Sequence, residues 1–210
     1  MGHYVGPKCR LCRRIGEKLF LKGEKCNTNC ALDGKTHQKP PGQHGGLRQR
    51  KPSVYKIRLL EKQKLRHITG ISERQFRRFF AKAEKMKGIT GENLLCLLEL
   101  RLDNVLYRLG FGSSRAQARQ FILHGHIKVN ERKVNIPSYL LRPGDRIELR
   151  PKLQDNIFIQ HALEESAKRT LPSWLSYEPE KFTAKILKFP EREEVSYPIN
   201  EQLIVELYSR

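Results

Sequence analysis

The chain has 210 residues, 38% of them hydrophobic, and carries 41 Lys and Arg against 22 Asp and Glu, a formal net charge of +19. That length suits one large domain or two small ones, and so large a positive charge points to a polyanion, with nucleic acid ahead of an anionic membrane. No apolar run approaches the roughly 20 residues that span a bilayer, and the opening MGHYVGPKC lacks the apolar core of a secretion signal, so the reading is a soluble cytoplasmic protein with no membrane partner.

Four of the five cysteines fall in the first 30 residues, Cys9 and Cys12 in CRLC and Cys26 and Cys30 in CNTNC. The C-x2-C and C-x3-C pairs, thirteen residues apart, suit a tetrahedral four-thiolate site for zinc or, alternatively, an iron–sulfur cluster. Such an ion supplies folding energy that a short Lys- and Gly-rich segment cannot gain by burial. Two disulfides or a redox pair are the competing readings; the first lacks a secretion signal and the second a βαβ frame. Cys96, inside LLCLLEL, reads as core. The following GKTHQKPPGQHGGLRQRKP is read as an extended basic strand that folds onto RNA phosphates rather than a disordered linker, with Arg48, Arg50 and Lys51 as contacts.

Three amphipathic helices come next. Ser53 caps the first, which runs to Gly70. Ser72 with Gln75 forms a capping box for the second, which ends at Gly88. On the second helix Phe76, Phe79, Phe80 and Ala83 recur at helical spacing and face the core, while Arg74, Arg77, Arg78, Lys82 and Lys85 lie mostly away from that stripe. So many cations on one helix repel each other, and a phosphate backbone relieves that repulsion. Thr90 starts a third helix with Leu94, Leu95, Leu98, Leu102, Val105 and Leu106 on its apolar side; Arg108, near its end, joins the candidate RNA contacts.

In GSSRAQARQFILHGHIKVN, Ser114 and Gln117 make a second capping box, Ala118, Phe121 and Ile122 form a buried stripe, and Arg115 and Arg119 lie along the flank one turn apart. Gly125 sits at a left-handed stop. HIKVNERKV reads as a hairpin turning at Asn130 and Glu131, and LLRPGDRIEL as a Pro-Gly turn before a strand over Arg146 to Leu149.

The stretch RLDNVLYRLGFGSSRAQARQFILHGHIKVNERKV, with RPGD after it, resembles the small RNA-binding module named after the fourth protein of the small ribosomal subunit. MGHYVGPKCRLCRR, PPGQHG, EKQKLRHITGISERQFRRFF and the closing PINEQLIVELYSR extend the resemblance to the bacterial-type family of that ribosomal protein, nearly end to end. The resemblance implies direct binding to 16S-type small-subunit ribosomal RNA, early assembly of the subunit body, a share in translational accuracy and neighbouring small-subunit ribosomal proteins as partners. It also implies RNA contacts from the module's second helix and adjoining loop, here Ser114, Arg115, Arg119, His124 and Lys128. The family's hairpin turn is usually Asn-Gly; Glu131 replaces that glycine, and a looser hairpin is expected.

Past the module, Asp155 or Asn156 can cap a short helix, Trp174 reads as packing, KFTAKILKF as a strand, and Asn200 as the cap of a last helix whose Leu203, Ile204 and Leu207 pack on the leucine-rich helices. The expected fold is α+β, in three parts. Residues 1–45 form a metal-bound segment with a basic extension. Residues 46–98, completed by 199–210, form a mostly helical domain. Residues 99–198 form an inserted RNA-binding module, a helix pair with an antiparallel sheet and a C-terminal extension. The same module accompanies catalytic domains in some enzymes, but the roughly 55 residues beyond it are too few for one, and no nucleotide-binding glycine loop or open zinc position accompanies it, so neither catalysis nor a small-molecule substrate is expected. A DNA-binding regulator using the cysteine knot is the remaining rival.

Overall fold

The computed structural model describes residues 4–34, 39–46, 51–154, 156–167, 170–195 and 197–209. In chain order these form α1 (Lys8–Ile15), α2 (Lys25–Thr28), α3 (Val54–Thr69), α4 (Glu73–Glu84), α5 (Thr90–Glu99), α6 (Leu102–Arg108), α7 (Arg115–Leu123), β1 (Ile127–Val129), β2 (Arg132–Lys133), β3 (Arg146–Leu149), α8 (Pro151–Gln154), α9 (Ile157–Ala167), β4 (Leu175–Glu178), β5 (Thr183–Ile186) and α10 (Glu201–Tyr208). They separate into two compact units, one of Met1–Gly91 with Tyr197–Arg210, the other of Glu92–Ser196.

In the first unit the serine caps form where their spacing places them. Ser53 accepts from the Lys56 amide and Ser72 from the Gln75 amide, each satisfying one orphan donor of a first turn. Gly70 closes α3 at φ 66. α4 stops at Glu84, short of Gly88, where the Met86 amide donates to the Ala83 carbonyl at 3.1 Å, a three-residue step that tightens the last turn. The last helix is capped by Asn200 and packs chiefly on α3. That differs from the expected docking on the leucine-rich helix. Polar pairs fix the arrangement: Lys64 donates to the Pro198 carbonyl, the Asn200 amide donates to Glu61, and Arg58 pairs with Glu206. Tyr208 stacks on Phe80 with centroids 4.5 Å apart, while its hydroxyl donates to Glu73 at 3.0 Å.

Glu73 is the hub of this unit. It accepts from Lys62 at 2.9 Å and lies near Arg66, Arg77 and the Tyr208 hydroxyl. Burial alone would raise its carboxyl, but the Lys62 ammonium, the Tyr208 hydroxyl and Arg66 outweigh that and hold it below its ordinary value. His67, half-buried and facing Arg66, Arg14 and Lys62, is pushed down to about 4 by that burial and by those cations, and is neutral at pH 7.

The second unit is built on an antiparallel sheet of strand order β2-β1-β3-β5-β4. Strand side chains alternate between faces. Ile127, Val129, Ile147, Leu149, Ala184, Ile186 and Leu175 turn inward onto a core that includes Leu106, Ala118, Ile122, Ile159 and Trp174. Trp174 is packing, as its sequence context predicts, and β5 forms where KFTAKILKF was read as a strand. Asn156 accepts from the Phe158 amide at the start of α9; Asp155 lies outside the described residues.

The expected third helix is two helices. Arg101 adopts φ −71 and ψ 137 between α5 and α6, forming a bridge with Leu140, and the Leu102 amide donates to the Tyr139 carbonyl. Pairing with a distant segment breaks a helix that periodicity would continue. The hairpin also departs from expectation, in the opposite sense. Asn130 and Glu131 both take positive φ, 48 and 66, in the manner of a tight primed turn. Asn130 is pinned from outside, donating to Asp145 at 2.8 Å and accepting from the Arg146 amide at 2.9 Å. That anchoring offsets the strain of a non-glycine residue in the left-handed region.

Candidate nucleic-acid interface

The front segment gathers its thiols. Cys9 and Cys12 lie on α1, Cys26 lies on α2 and Cys30 shortly after it, and all four line one small cavity with Leu21, Ala31, Leu32, Lys8 and Lys22. All four are free thiols, so the disulfide reading is not met. The expected closed metal centre is not formed either: among the described residues no three His, Cys, Asp or Glu side chains stand where they could hold a metal ion. The donor chemistry suits zinc, with four sulfurs and no competing oxygen ligand on the cavity. Burial pushes the Cys12 thiol up, and the other three cysteines add to the shift. Cys96 is core-packed, its thiol raised to about 11 by burial and by Glu99.

Arg48 and Arg50 lie outside the described residues; Lys51 is exposed. The PPGQHG stretch is a compact turn rather than an extended strand, with Gln43–Gly46 in a short 3-10 helix. A Cβ on Gly45 would lie 1.8 Å from the Pro40 carbonyl oxygen, so only glycine fits there. The Lys39 carbonyl accepts from Arg13 of α1 at 3.0 Å, tying this turn to the cysteine segment.

On α4 the two faces divide cleanly. Phe76, Phe80 and Ala83 are buried, and Arg74, Arg77, Arg78, Lys82 and Lys85 are exposed. Arg74, Arg78 and Lys82 follow one another at four-residue intervals, so they form a row of like charges about one turn apart. Arg77 lies 3.6 Å from Glu73, the acid that opens the helix.

The α7 region is more closely organised than its sequence suggests. Ser114 accepts from the Gln117 amide, but the Gln117 side chain accepts from the amide and hydroxyl of Ser113, one residue earlier than a capping box requires. Arg115 donates from Nε to the Asn104 side chain at 2.8 Å and stacks 4.2 Å from the Tyr107 ring centroid, so its guanidinium is held in one plane. Asn104 in turn donates to the Leu98 carbonyl. Arg119 does not lie along the flank. It is 8% exposed and points inward to Asp103 at 3.3 Å, in a buried triad completed by the two-pronged Arg101–Asp103 pair at 3.0 and 2.6 Å. Arg108 is similarly engaged, gripping the buried Glu99 with two bonds at 3.0 and 3.1 Å. His124 is exposed at the end of α7, with the His126 ring 6.1 Å away, and Lys128 is half-buried on β1. Asp103, Asn104 and Tyr107 were missed because periodicity sees only the leucine stripe of this segment. RLDN itself carried no sign of them: Asp103 and Asn104 fall opposite the leucine stripe, where a continuing helix would expose them, and they are buried only because the helix breaks at Arg101.

A helix pair with a rigidly held arginine at its rim, backed by an antiparallel sheet, defines a polyanion-binding module joined to a second basic unit. Residues 100–147 match the family described as S4 domain, and residues 3–99 match the ribosomal protein S4/S9 N-terminal domain. The small ribosomal subunit proteins uS4 of Natranaerobius thermophilus, Thermus thermophilus and Pelotomaculum thermopropionicum are each 54% identical to the chain over the full length of both. The chain belongs to the uS4 family of small ribosomal subunit proteins.

Proposed function

We propose that the chain is a structural, non-catalytic constituent of the small ribosomal subunit in the cytoplasm. It binds 16S-type small-subunit ribosomal RNA directly, nucleates assembly of the subunit body among neighbouring ribosomal proteins and contributes to translational accuracy. Its domains are those read from the sequence: 1–45, 46–98 with 199–210, and 99–198. The observation that carries the reading is the exposed row on α4, where Arg74, Arg77, Arg78 and Lys82, with Lys85 just past its end, share one face of a helix anchored by its phenylalanines. Fixed cations displace counterions from RNA without first having to be ordered. Arg115, His124, Lys128, Ser114 and Lys51 are the remaining proposed contacts, with Arg48 and Arg50 in the basic extension. Arg119 and Arg108 support the module from inside, a role their buried carboxylate partners favour over direct phosphate contact.

Cys9, Cys12, Cys26 and Cys30 would hold zinc, which cross-links the two short helices of the front segment. Support comes from their convergence on one cavity.

Titration of small-subunit RNA at increasing salt tests the RNA reading. Neutralising on the order of 8 phosphates gives a slope of log K against log salt of about −6 to −7. Arg74→Ala, Arg77→Ala and Arg78→Ala together should flatten that slope and leave the melting temperature unchanged. A flat wild-type slope, or equal affinity for duplex DNA, overturns the proposal and favours a DNA-binding regulator.

A further inference from the structure

The outward face of the second unit's sheet carries charges that the α7 region does not account for. The register places Lys133 of β2 beside Lys128 of β1, Lys128 beside Glu148 of β3, and Arg146 of β3 beside Lys185 of β5. Cross-strand partners share a face, so these side chains stand together on the side opposite the apolar core. Glu148 is engaged by Arg146 at 3.1 Å and the edge residue Glu178 by Lys181 at 3.6 Å. Among the described residues Lys128, Lys133 and Lys185 stand within ion-pair distance of no carboxylate. Lys133, Arg146 and Lys185 are exposed. Strands lie about 4.8 Å apart, so Lys133 and Lys185 bracket a strip of roughly 15 Å.

Lys133 also joins this strip to the end of α7. A Cβ on Gly125 would lie 2.1 Å from Lys133 Cε and 2.9 Å from its Nζ, so the lysine chain rests on the bare glycine between His124 and His126.

We infer that this sheet face, from Lys133 through Lys128 and Arg146 to Lys185, is a second phosphate-binding surface for the ribosomal RNA. The inference rests on the proposed RNA-binding function and extends its footprint to β5, beyond residues 100–147 of the matched module. Charge complementarity selects the occupant: three lysines without carboxylate partners fit a phosphodiester backbone. The other outward positions of the register, Glu148, Thr183, Ser176 and Glu178, include no aromatic side chain, so bases have nothing to stack on and the contact follows the backbone without reading sequence.

The test compares the full chain with a Lys133→Ala/Lys185→Ala variant in salt titrations on small-subunit RNA, with Lys188→Ala as a control cation elsewhere. The double variant should bind on the order of 10-fold more weakly at moderate salt, with the slope smaller by about 1.4 to 1.8, while the control matches wild type. Unchanged affinity and slope overturn the sheet surface while wild-type binding stands. Unchanged RNA binding with lost binding to polyglutamate assigns the face to an acidic protein and also overturns it. A wild type that fails to bind RNA at all sinks the underlying function instead.

Discussion

Replacing Asp103 with asparagine probes the buried triad most directly. The carboxylate faces two guanidinium groups, and Arg101, Asp103 and Arg119 are 0, 2 and 8% exposed. Asp103→Asn keeps the volume, removes the only negative charge of the triad and turns one acceptor oxygen into a donor facing arginine. Breaking a buried pair from one side costs about 3–5 kcal/mol, because the remaining charge loses its partner without regaining water. Two cations lose theirs here, so the upper half of that range applies. For a unit of this size each kcal/mol lowers the melting temperature by roughly 4–8 °C, giving a fall of at least about 16 °C. The chain has one tryptophan, Trp174, buried in the same unit, so its fluorescence reports this unit's unfolding. A fall below about 4 °C would mean that the triad is hydrated in solution and that Arg119 is available to a ligand after all. Replacing all three residues with apolar ones of similar volume should cost far less than Asp103→Asn.

Glu73 makes the first unit acid-sensitive. Its folded pKa is depressed, so its contribution is fully present above the ordinary value of 4.5 and is lost as pH falls through the lower folded value. Hydrogen exchange at α10 should therefore accelerate on acidification below that value, and Glu73→Gln should remove most of the dependence; an unchanged profile refutes the hub. Glu131→Gly relieves a side chain held at φ 66 and should stabilise the second unit by about 1 kcal/mol in urea titration. Destabilisation instead would show that glutamate itself holds the turn. Native mass spectrometry should find one zinc per chain, lost in Cys12→Ser, with faster exchange confined to the front segment. Retention of the ion by that variant rules out the four-cysteine set.

Local signals in the sequence were read well and long-range ones poorly. Ser53, Ser72, Ser114 and Asn200 all cap helices, because a cap depends only on the next two or three amides. Trp174 and the β5 strand were legible for a similar reason: their apolar neighbours leave few alternatives. The break at Arg101 was not, since it depends on Leu140 approaching from far along the chain. Nor was the inward turn of Arg119. Helical spacing assigned it a flank, but Asp103 on α6 supplies a buried partner that no periodicity contains. The α4 face was legible because Phe76 and Phe80 leave its arginines nowhere else to point. Convergence of the cysteines could be expected from their spacing; the placement of the sulfurs around a single cavity required the fold.

The pairing of α10 with α3 imposes an order on how the chain comes into being. Synthesis delivers Tyr208 late, yet that ring covers Phe76 and Phe80, made more than a hundred residues earlier. Until the terminus emerges, those phenylalanines stay bare to water while the middle of the polypeptide, Glu92 through Ser196, already has every strand it needs. The insert therefore matures before its host, and a nascent chain arrested short of Asn200 should expose a greasy flank to chaperones while its sheet is already complete.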